Sequence, residues 1–215
     1  MTRKRVSDQQ IQEYLSRMQQ VVRRTSAIDH FLDFSAVGLP HIVVIEVIFL
    51  QLRHILELIA TALLVLNPDA LTEMRNQRRR KWHALDILKT IETINPTFYP
   101  KPTKKASKGA DGVIPFVELK GGFLSLERFT TLYRRCGQIL HTEDPFSTKP
   151  RVHLKTRQDF KRIIGQVRKY QSQIIRLLTH HVFVTKDEET MYVAQSVGPD
   201  HEFYVAEFVR SSSPN

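Results

Sequence analysis

The sequence predicts a mainly α-helical bundle of four to five long helices with a small C-terminal antiparallel β-meander. Apolar residues recur at helical spacing along most of residues 7–180, and the pattern changes to alternation past His181. A chain of 215 residues with 41% hydrophobic composition is long enough to bury a sizeable core. We therefore expect a helical-bundle domain over residues 1–181, followed by a β-strand appendage and a disordered tail over residues 182–215.

The first two predicted helices form the centre of the bundle. A capping box of Ser7 and Gln10 opens an amphipathic helix, and Pro40 marks the break before the next one. Residues 41–66 are apolar on nearly every side, so we expect this helix to be buried by its neighbours. The helix holds three charged residues. Each would cost roughly 2.5–3.5 kcal/mol at a bilayer centre, so we expect no membrane span.

A third helix is predicted directly after the apolar one. Asn67 offers an N-cap and Pro68 suits a first helical turn, and the helical pattern continues, with or without a break, to Ile94. Residues 101–113 are polar, basic and rich in small side chains, which predicts a flexible surface loop. Residues 114–119 form a short extended segment at most, because they include a proline and precede two glycines.

Two more helices precede the strands. Ser125 caps the first of them, and a capping box of Thr156 and Asp159 opens the second. His180 and His181 lie at the helix-to-strand junction, and we interpret them as a cap and a solvated side chain rather than a metal pair. Three runs rich in branched and aromatic residues predict the strands of the meander, at residues 182–185, 190–194 and 203–209.

Composition narrows the classes of function. Cys136 is the only cysteine, which excludes an intramolecular disulfide framework and a cysteine zinc cluster, and its place on an apolar stripe predicts a buried thiol. The chain has no Gly-rich phosphate loop, dinucleotide fingerprint or paired-His motif, so we expect no cofactor and no metal. The first residues lack the apolar run of a secretory signal, which favours a cytoplasmic protein. A net charge of +10 favours a polyanionic partner such as RNA.

One predicted helix gathers groups suited to phosphate chemistry. Arg134 precedes His141 by seven positions, or two helical turns, and Arg135 is offset by one position. A guanidinium is well suited to phosphate oxygens, and histidine can move a proton near neutral pH. Together these groups would suit the metal-independent attack of a ribose 2′-hydroxyl on its own phosphate. The spacing alone is more typical of a solvated arginine and a histidine placed at a helix C-terminus.

The segment YRRCGQILH, residues 133–141, resembles the Arg-x(4–6)-His motif of the HEPN superfamily of helical-bundle proteins. The apolar helix around residues 52–60 is similar to the core helix that precedes this motif. The resemblance implies a metal-independent endoribonuclease whose two protomers share one cleft, so a homodimer is expected. It places the motif histidine at His141 and the motif arginine at Arg135 or Arg134.

The same resemblance leaves a non-catalytic alternative open. Some members of the superfamily are binding modules, which implies an RNA-, DNA- or protein-binding role, such as a regulatory partner of defence or toxin–antitoxin type. Arg53 and Glu57 lie one turn apart on the central helix. They are interpreted as a structural ion pair or, beside a dimer cleft, as a second phosphate contact with the carboxylate that orients it.

A dense basic cluster is the other candidate for contact with nucleic acid. It can bind phosphates through its cations and stack a base on its tryptophan. A solvated helix face with the tryptophan in the core fits the pattern equally well. The cluster consists of Arg75, Arg78, Arg79, Arg80, Lys81 and Trp82.

Overall fold

The protein consists of six helices and four strands within the part of the chain that can be described. The computed structural model describes residues 6–34, 40–76, 83–104, 116–140, 156–186, 190–198 and 201–209. The helices are α1 (Asp8–Phe34), α2 (His41–Val65), α3 (Pro68–Asn76), α4 (Ala84–Ile94), α5 (Leu126–Leu140) and α6 (Arg157–Leu178). The strands are β1 (Lys101–Pro102), β2 (His180–Val184), β3 (Thr190–Val197) and β4 (Glu202–Val209).

Helix α2 forms the centre of the bundle, as its composition predicts. It packs against α1, α3, α4 and α5. Residues such as Ile48, Leu52, Ile55 and Leu56 are fully buried within a continuous core. Each large aliphatic side chain removed from water in this way contributes roughly 1.5–3 kcal/mol. Within the described ranges, no helix is both long and apolar enough to cross a membrane.

Three of the four predicted helix caps are confirmed by hydrogen bonds, whereas the side chain of Asn67 bonds Leu63 and Asn95. The Ser7 N–H donates to Gln10 Oε1 at 2.9 Å, and the Gln10 N–H donates to Ser7 Oγ at 3.3 Å. Thr156 and Asp159 form the same reciprocal box at the start of α6. At the start of α5, the Arg128 N–H donates to Ser125 Oγ at 3.3 Å. These short-range signals act within a few residues, so they are readable without the tertiary fold.

The strands form one antiparallel sheet in the order β1-β2-β3-β4. Strands β2, β3 and β4 are the predicted meander, and β1 is an addition to it. Lys101 pairs with Val182 and Pro102 with His181, so the start of the segment predicted to be a loop is a sheet edge. The composition of this segment does not predict the strand, because a two-residue strand forms through pairing with its partner and not through its own β-propensity.

The predicted third helix is two helices, α3 and α4, and residues 77–82 between them lie outside the described residues. The interpretation of the histidine pair is wrong. His180 and His181 are 8% and 0% exposed and begin β2, so neither is a solvated side chain. His181 Nε2 lies 2.5 Å from the hydroxyl of Tyr14, and its Nδ1 lies 3.1 Å from the Leu178 carbonyl. Packing of the sheet on α1 accounts for this burial.

Candidate functional site

Helix α5 carries both predicted motif arginines in its last two turns. It ends at Leu140, and the predicted catalytic residue His141 lies outside the described residues. Arg134 is exposed, whereas Arg135 is half-buried. Consecutive positions on a helix differ by about 100° in direction, so the two side chains meet different surroundings. Arg134 lies towards solvent, and Arg135 lies towards the neighbouring helices.

The guanidinium of Arg135 is held between α2 and α6. Its Nη2 donates to Gln166 Oε1 at 2.5 Å, and its Nη1 lies 3.5 Å from the hydroxyl of Tyr170. The guanidinium carbon lies 5.9 Å from the ring centroid of Phe49 on α2. Within the described ranges its hydrogen-bond partners are all neutral. Arg135 is therefore oriented by its neighbours while its positive charge is not compensated by a carboxylate there.

A second arginine belongs to a network that joins α2 to α5. Arg53 Nε donates to Glu57 Oε1 at 3.1 Å, which confirms the predicted ion pair. Arg53 Nη2 also donates to the hydroxyl of Tyr133 at 3.3 Å, and that hydroxyl donates to Glu57 Oε1 at 3.1 Å. The guanidinium lies 5.0 Å from the centroid of the Tyr133 ring, within cation–π range. Three side chains therefore orient one another.

Two histidines border this network, and sequence reasoning missed both as site residues. His54 Nδ1 lies 3.4 Å from Glu57 Oε2, and the His83 ring meets the Tyr133 ring edge-on at 5.0 Å. The spacing of His54 and Glu57, three positions apart on one helix, was a usable signal. No local signal exists for His83 or Tyr133, because their meeting depends on how α4 and α5 pack on α2.

The electrostatics of the network keep Arg53 charged and Tyr133 neutral. Burial by itself would lower the pKa of Arg53, but hydrogen bonds and charge from Glu57 and Tyr133 raise that pKa overall. Burial, followed by the negative charge of Glu57, raises the pKa of the Tyr133 hydroxyl. Glu57 accepts from Arg53 and Tyr133 on one oxygen and has His54 beside the other. This carboxylate is therefore suited to orienting its neighbours.

Cys136 lies on the buried side of α5, as predicted, with no exposure to solvent. Burial raises the pKa of its thiol to about 12, which outweighs the opposing effect of Arg53 and Arg135. The thiol is therefore unreactive near neutral pH. Among the described residues, no three His, Cys, Asp or Glu side chains converge in a way that could hold a metal ion.

Only one residue of the basic cluster, Arg75, is among the described residues. Arg75 is exposed in the last turn of α3, where a cation complements the negative end of the helix dipole. The rest of the cluster, Arg78, Arg79, Arg80, Lys81 and Trp82, lies outside the described residues. Its role in binding nucleic acid stays a prediction.

The packing of α2 and α5 holds two arginines with different neighbours: Arg53 bonds Glu57 and Tyr133, and Arg135 lies near Phe49. Arg134 is exposed on α5. Two guanidiniums, one of them without a described carboxylate partner, suit the oxygens of a phosphodiester. In comparisons with known proteins, the chain matches no family model, no curated protein and no solved structure.

Proposed function

We propose that the protein is a metal-independent endoribonuclease of HEPN type, with its active site at the C-terminal end of α5. The observation that carries the proposal is that Arg135 is held in place by neutral partners. Its guanidinium is oriented by Gln166 and Tyr170, which are both neutral. An arginine held in place without a described counter-charge loses little conformational freedom when it binds a phosphate. The net charge of +10 would draw RNA towards such a site.

In the proposed reaction, His141 takes the proton of a ribose 2′-hydroxyl. The 2′-oxygen then attacks the adjacent phosphorus, and the bond from phosphorus to the 5′-oxygen of the next nucleotide breaks. The leaving 5′-oxygen is protonated by an imidazolium or by water, which leaves a 2′,3′-cyclic phosphate and a 5′-hydroxyl. An arginine that holds the phosphate oxygens stabilises the negative charge that grows on them. The step consumes neither metal nor oxidant.

We assign the main phosphate contact to Arg135 and a secondary one to Arg53. Arg53 uses Nε and Nη2 in the network with Glu57 and Tyr133, and among the described residues nothing bonds its Nη1. Arg134 remains the alternative motif arginine, because it is aligned with position 141 if the helical path continues. Its exposed side chain would have to be ordered by the substrate itself, which costs more conformational entropy.

A homodimer is part of this proposal. Val43 and Leu50 on α2 are 39% and 40% exposed, whereas the other large apolar side chains of this helix are buried or half-buried. They lie on the same stripe of α2 as His54 and Glu57, at spacings of four and seven residues. Pairing of this stripe with its copy would cover the apolar side chains and bring two sets of arginines to one cleft.

RNA cleavage in the presence of a chelator tests the proposal. We expect the wild-type protein to cut single-stranded RNA in excess EDTA, and His141→Ala to be at least about 100-fold slower, the usual contribution of an acid–base group. Arg135→Gln and Arg134→Gln form a matched pair with equal charge loss on adjacent positions. We expect the Arg135 variant to lose more activity. Equal cleavage by the wild type and His141→Ala, or no cleavage across a broad RNA panel, would overturn the catalytic claim.

A non-catalytic RNA-, DNA- or protein-binding module is the second candidate. One observation favours it: the carboxylate of the described network, Glu57, is already bound by Arg53 and Tyr133, as in a structural ion pair. In this case binding would depend strongly on salt concentration and would survive His141→Ala. Replacing Arg78, Arg79 and Arg80 with glutamine would abolish it, whereas the nuclease proposal requires loss of cleavage in the His141 variant.

A further inference from the structure

A second polar site lies on another side of α6, away from Arg135. A cleft of about 680 Å³ opens there between α6, α1 and the segment around β1. The volume suits a small organic ligand, since ligand pockets measure roughly 300–1,000 Å³. Its lining consists of Asp29, Thr103, Lys104, Leu119, Arg168, Gln171, Ser172, Ile175, Arg176, Thr179 and His180.

The cleft is positively charged. Lys104, Arg168 and Arg176 contribute three cations, and Asp29 contributes the one carboxylate. Asp29 is already bound by Nη1 of Arg168, so it opposes only one of these charges. Among the described residues, Lys104 and Arg176 make no ion pair. Two cations facing one concave surface favour an anionic ligand.

Arg176 is held at the edge of the cleft by the shape of the chain beneath it. Gly122 has a φ of +81°, a conformation that suits glycine, and a β-carbon built on it would lie 3.2 Å from Nε of Arg176. The guanidinium therefore packs directly over a residue that has no side chain. The positive φ explains why a glycine suits position 122, and a β-carbon there would press on the guanidinium of Arg176.

The floor of the cleft is polar and pre-organised. Thr103 Oγ1 and His180 Nδ1 lie 2.6 Å apart, and both residues are buried. The amide of Gln171 donates to Asp29 Oδ1 at 3.1 Å and to the Thr25 carbonyl at 3.2 Å. Gln171 is 5% exposed, and its Oε1 has no hydrogen-bond partner within the described structure. A buried acceptor left unpaired in this way is costly.

The two sites are separated by α6 itself. Cleft residues Arg168, Ser172 and Thr179 recur at helical spacing on one side of the helix. Gln166 and Tyr170, which hold Arg135, lie on the opposite side at about 100° per residue. A ligand in the cleft would therefore not touch the proposed nuclease site.

We propose that this cleft binds a small phosphorylated ligand of the nucleoside phosphate class. Arg176 and Lys104 would hold the phosphate, since guanidinium and ammonium groups are its usual partners in proteins. Leu119 and Ile175 supply apolar surface for the body of the ligand, which a cleft of about 680 Å³ has room for. The hydroxyls of Thr103 and Ser172 suit the sugar. A bare anion would leave most of this volume to water.

Calorimetric titration of the full chain with AMP, GMP, CMP and UMP, beside inorganic phosphate and the four nucleosides, tests this proposal. We expect at least one nucleotide to bind with a Kd below 1 mM, and phosphate or nucleoside alone to bind at least about tenfold more weakly. Equal affinity for phosphate would indicate an ion site and would overturn the nucleotide assignment. No binding of any nucleotide at 10 mM would overturn the site.

Four variants give the residue-level test. Arg176→Gln should weaken nucleotide binding at least about tenfold, and Gly122→Ala should weaken it less, because the added β-carbon only presses on the guanidinium. Asp29→Asn should strengthen binding, because it removes the opposing charge and keeps a hydrogen-bond acceptor. Arg157→Gln, an exposed arginine of α6 outside the cleft, is the matched control and should bind like the wild type. If Gly122→Ala fails to fold, Arg176→Gln still tests the proposed site. Unchanged affinity in Arg176→Gln, or an equal loss in Arg157→Gln, would overturn the proposal.

Discussion

Two networks in this protein each join a tyrosine to groups that can carry charge, and their surroundings differ sharply. Tyr14 and His181 are 1% and 0% exposed and lie 2.5 Å apart in the core between α1 and the sheet. Tyr133 bonds Arg53 and Glu57 at the packing of α2 and α5, where those two side chains retain 23% and 32% of their exposure. The first network is neutral, whereas the second is charged.

Burial explains this difference. The Nδ1–H of His181 donates to the Leu178 carbonyl, so its Nε2 is the acceptor for the Tyr14 hydroxyl. Burial lowers the pKa of His181 to about 4 and raises that of Tyr14, so both are neutral near pH 7. Arg53 and Glu57 keep contact with water and form an ion pair with each other. The neutral, buried pair of Tyr14 and His181 stabilises the fold. The partly exposed pair of Arg53 and Glu57 can also contact a ligand.

The largest expected change in stability comes from a substitution in the buried pair of Tyr14 and His181. His181→Leu removes the acceptor for the Tyr14 hydroxyl and the donor for the Leu178 carbonyl. We expect it to lower the free energy of unfolding by about 3 kcal/mol, since each buried polar group left unpaired costs roughly 1–3 kcal/mol. Urea denaturation measures the loss. The double variant with Tyr14→Phe should lose less than the sum of the two single variants, and additive losses would contradict the proposed coupling.

The next effect is a dependence of stability on pH. In the unfolded chain His181 has its ordinary pKa of 6.5, and in the folded chain burial lowers the value to about 4. The unfolded state therefore binds more protons between these values, and stability falls as the pH is lowered. We expect a loss of roughly 2 kcal/mol from this group between pH 6.5 and 4.5. His181→Gln keeps a polar side chain without titrating, so its stability should fall less over that range.

Removing the charged network should affect stability less than function. Arg53→Met keeps the apolar part of the side chain and deletes its charge. We expect a loss of about 1 kcal/mol or less, because partly exposed ion pairs contribute little to stability. RNA binding at low salt should fall several-fold in the same variant, as measured by fluorescence anisotropy. A loss of stability as large as that of His181→Leu, with RNA binding unchanged, would make this network a purely structural one.

The smallest effect is expected at Arg134. Its exposed side chain should be replaceable by alanine with a change in unfolding free energy within about 0.5 kcal/mol. Arg135→Ala should cost more, because Gln166 and Tyr170 lose a partner and the guanidinium leaves its position near Phe49. Thermal unfolding of the two alanine variants, measured side by side, tests this difference. Equal changes would show that Arg135 is not held more firmly than its neighbour.

The arginines of α2 and α5 also show how far the candidate site could be predicted from the sequence. Sequence reasoning found Arg53 with Glu57, since a spacing of four on a helix makes them neighbours whatever surrounds them. It could not tell which of Arg134 and Arg135 contacts another helix, because that depends on where α6 lies. It did not find Tyr133 or His83 as site residues, since each meets the network only through contacts between separate helices.

The sequence by itself determined most of the helices, three of their capped starts, the central position of α2 and the three-strand meander. These features depend on apolar periodicity and on hydrogen bonds between residues a few positions apart. Only the tertiary structure decided that Lys101 and Pro102 join the sheet, that His180 and His181 are buried, and that a positively charged cleft forms beside α6. Each of these features joins segments distant in the chain, and their contact energies depend on packing that local propensity does not encode.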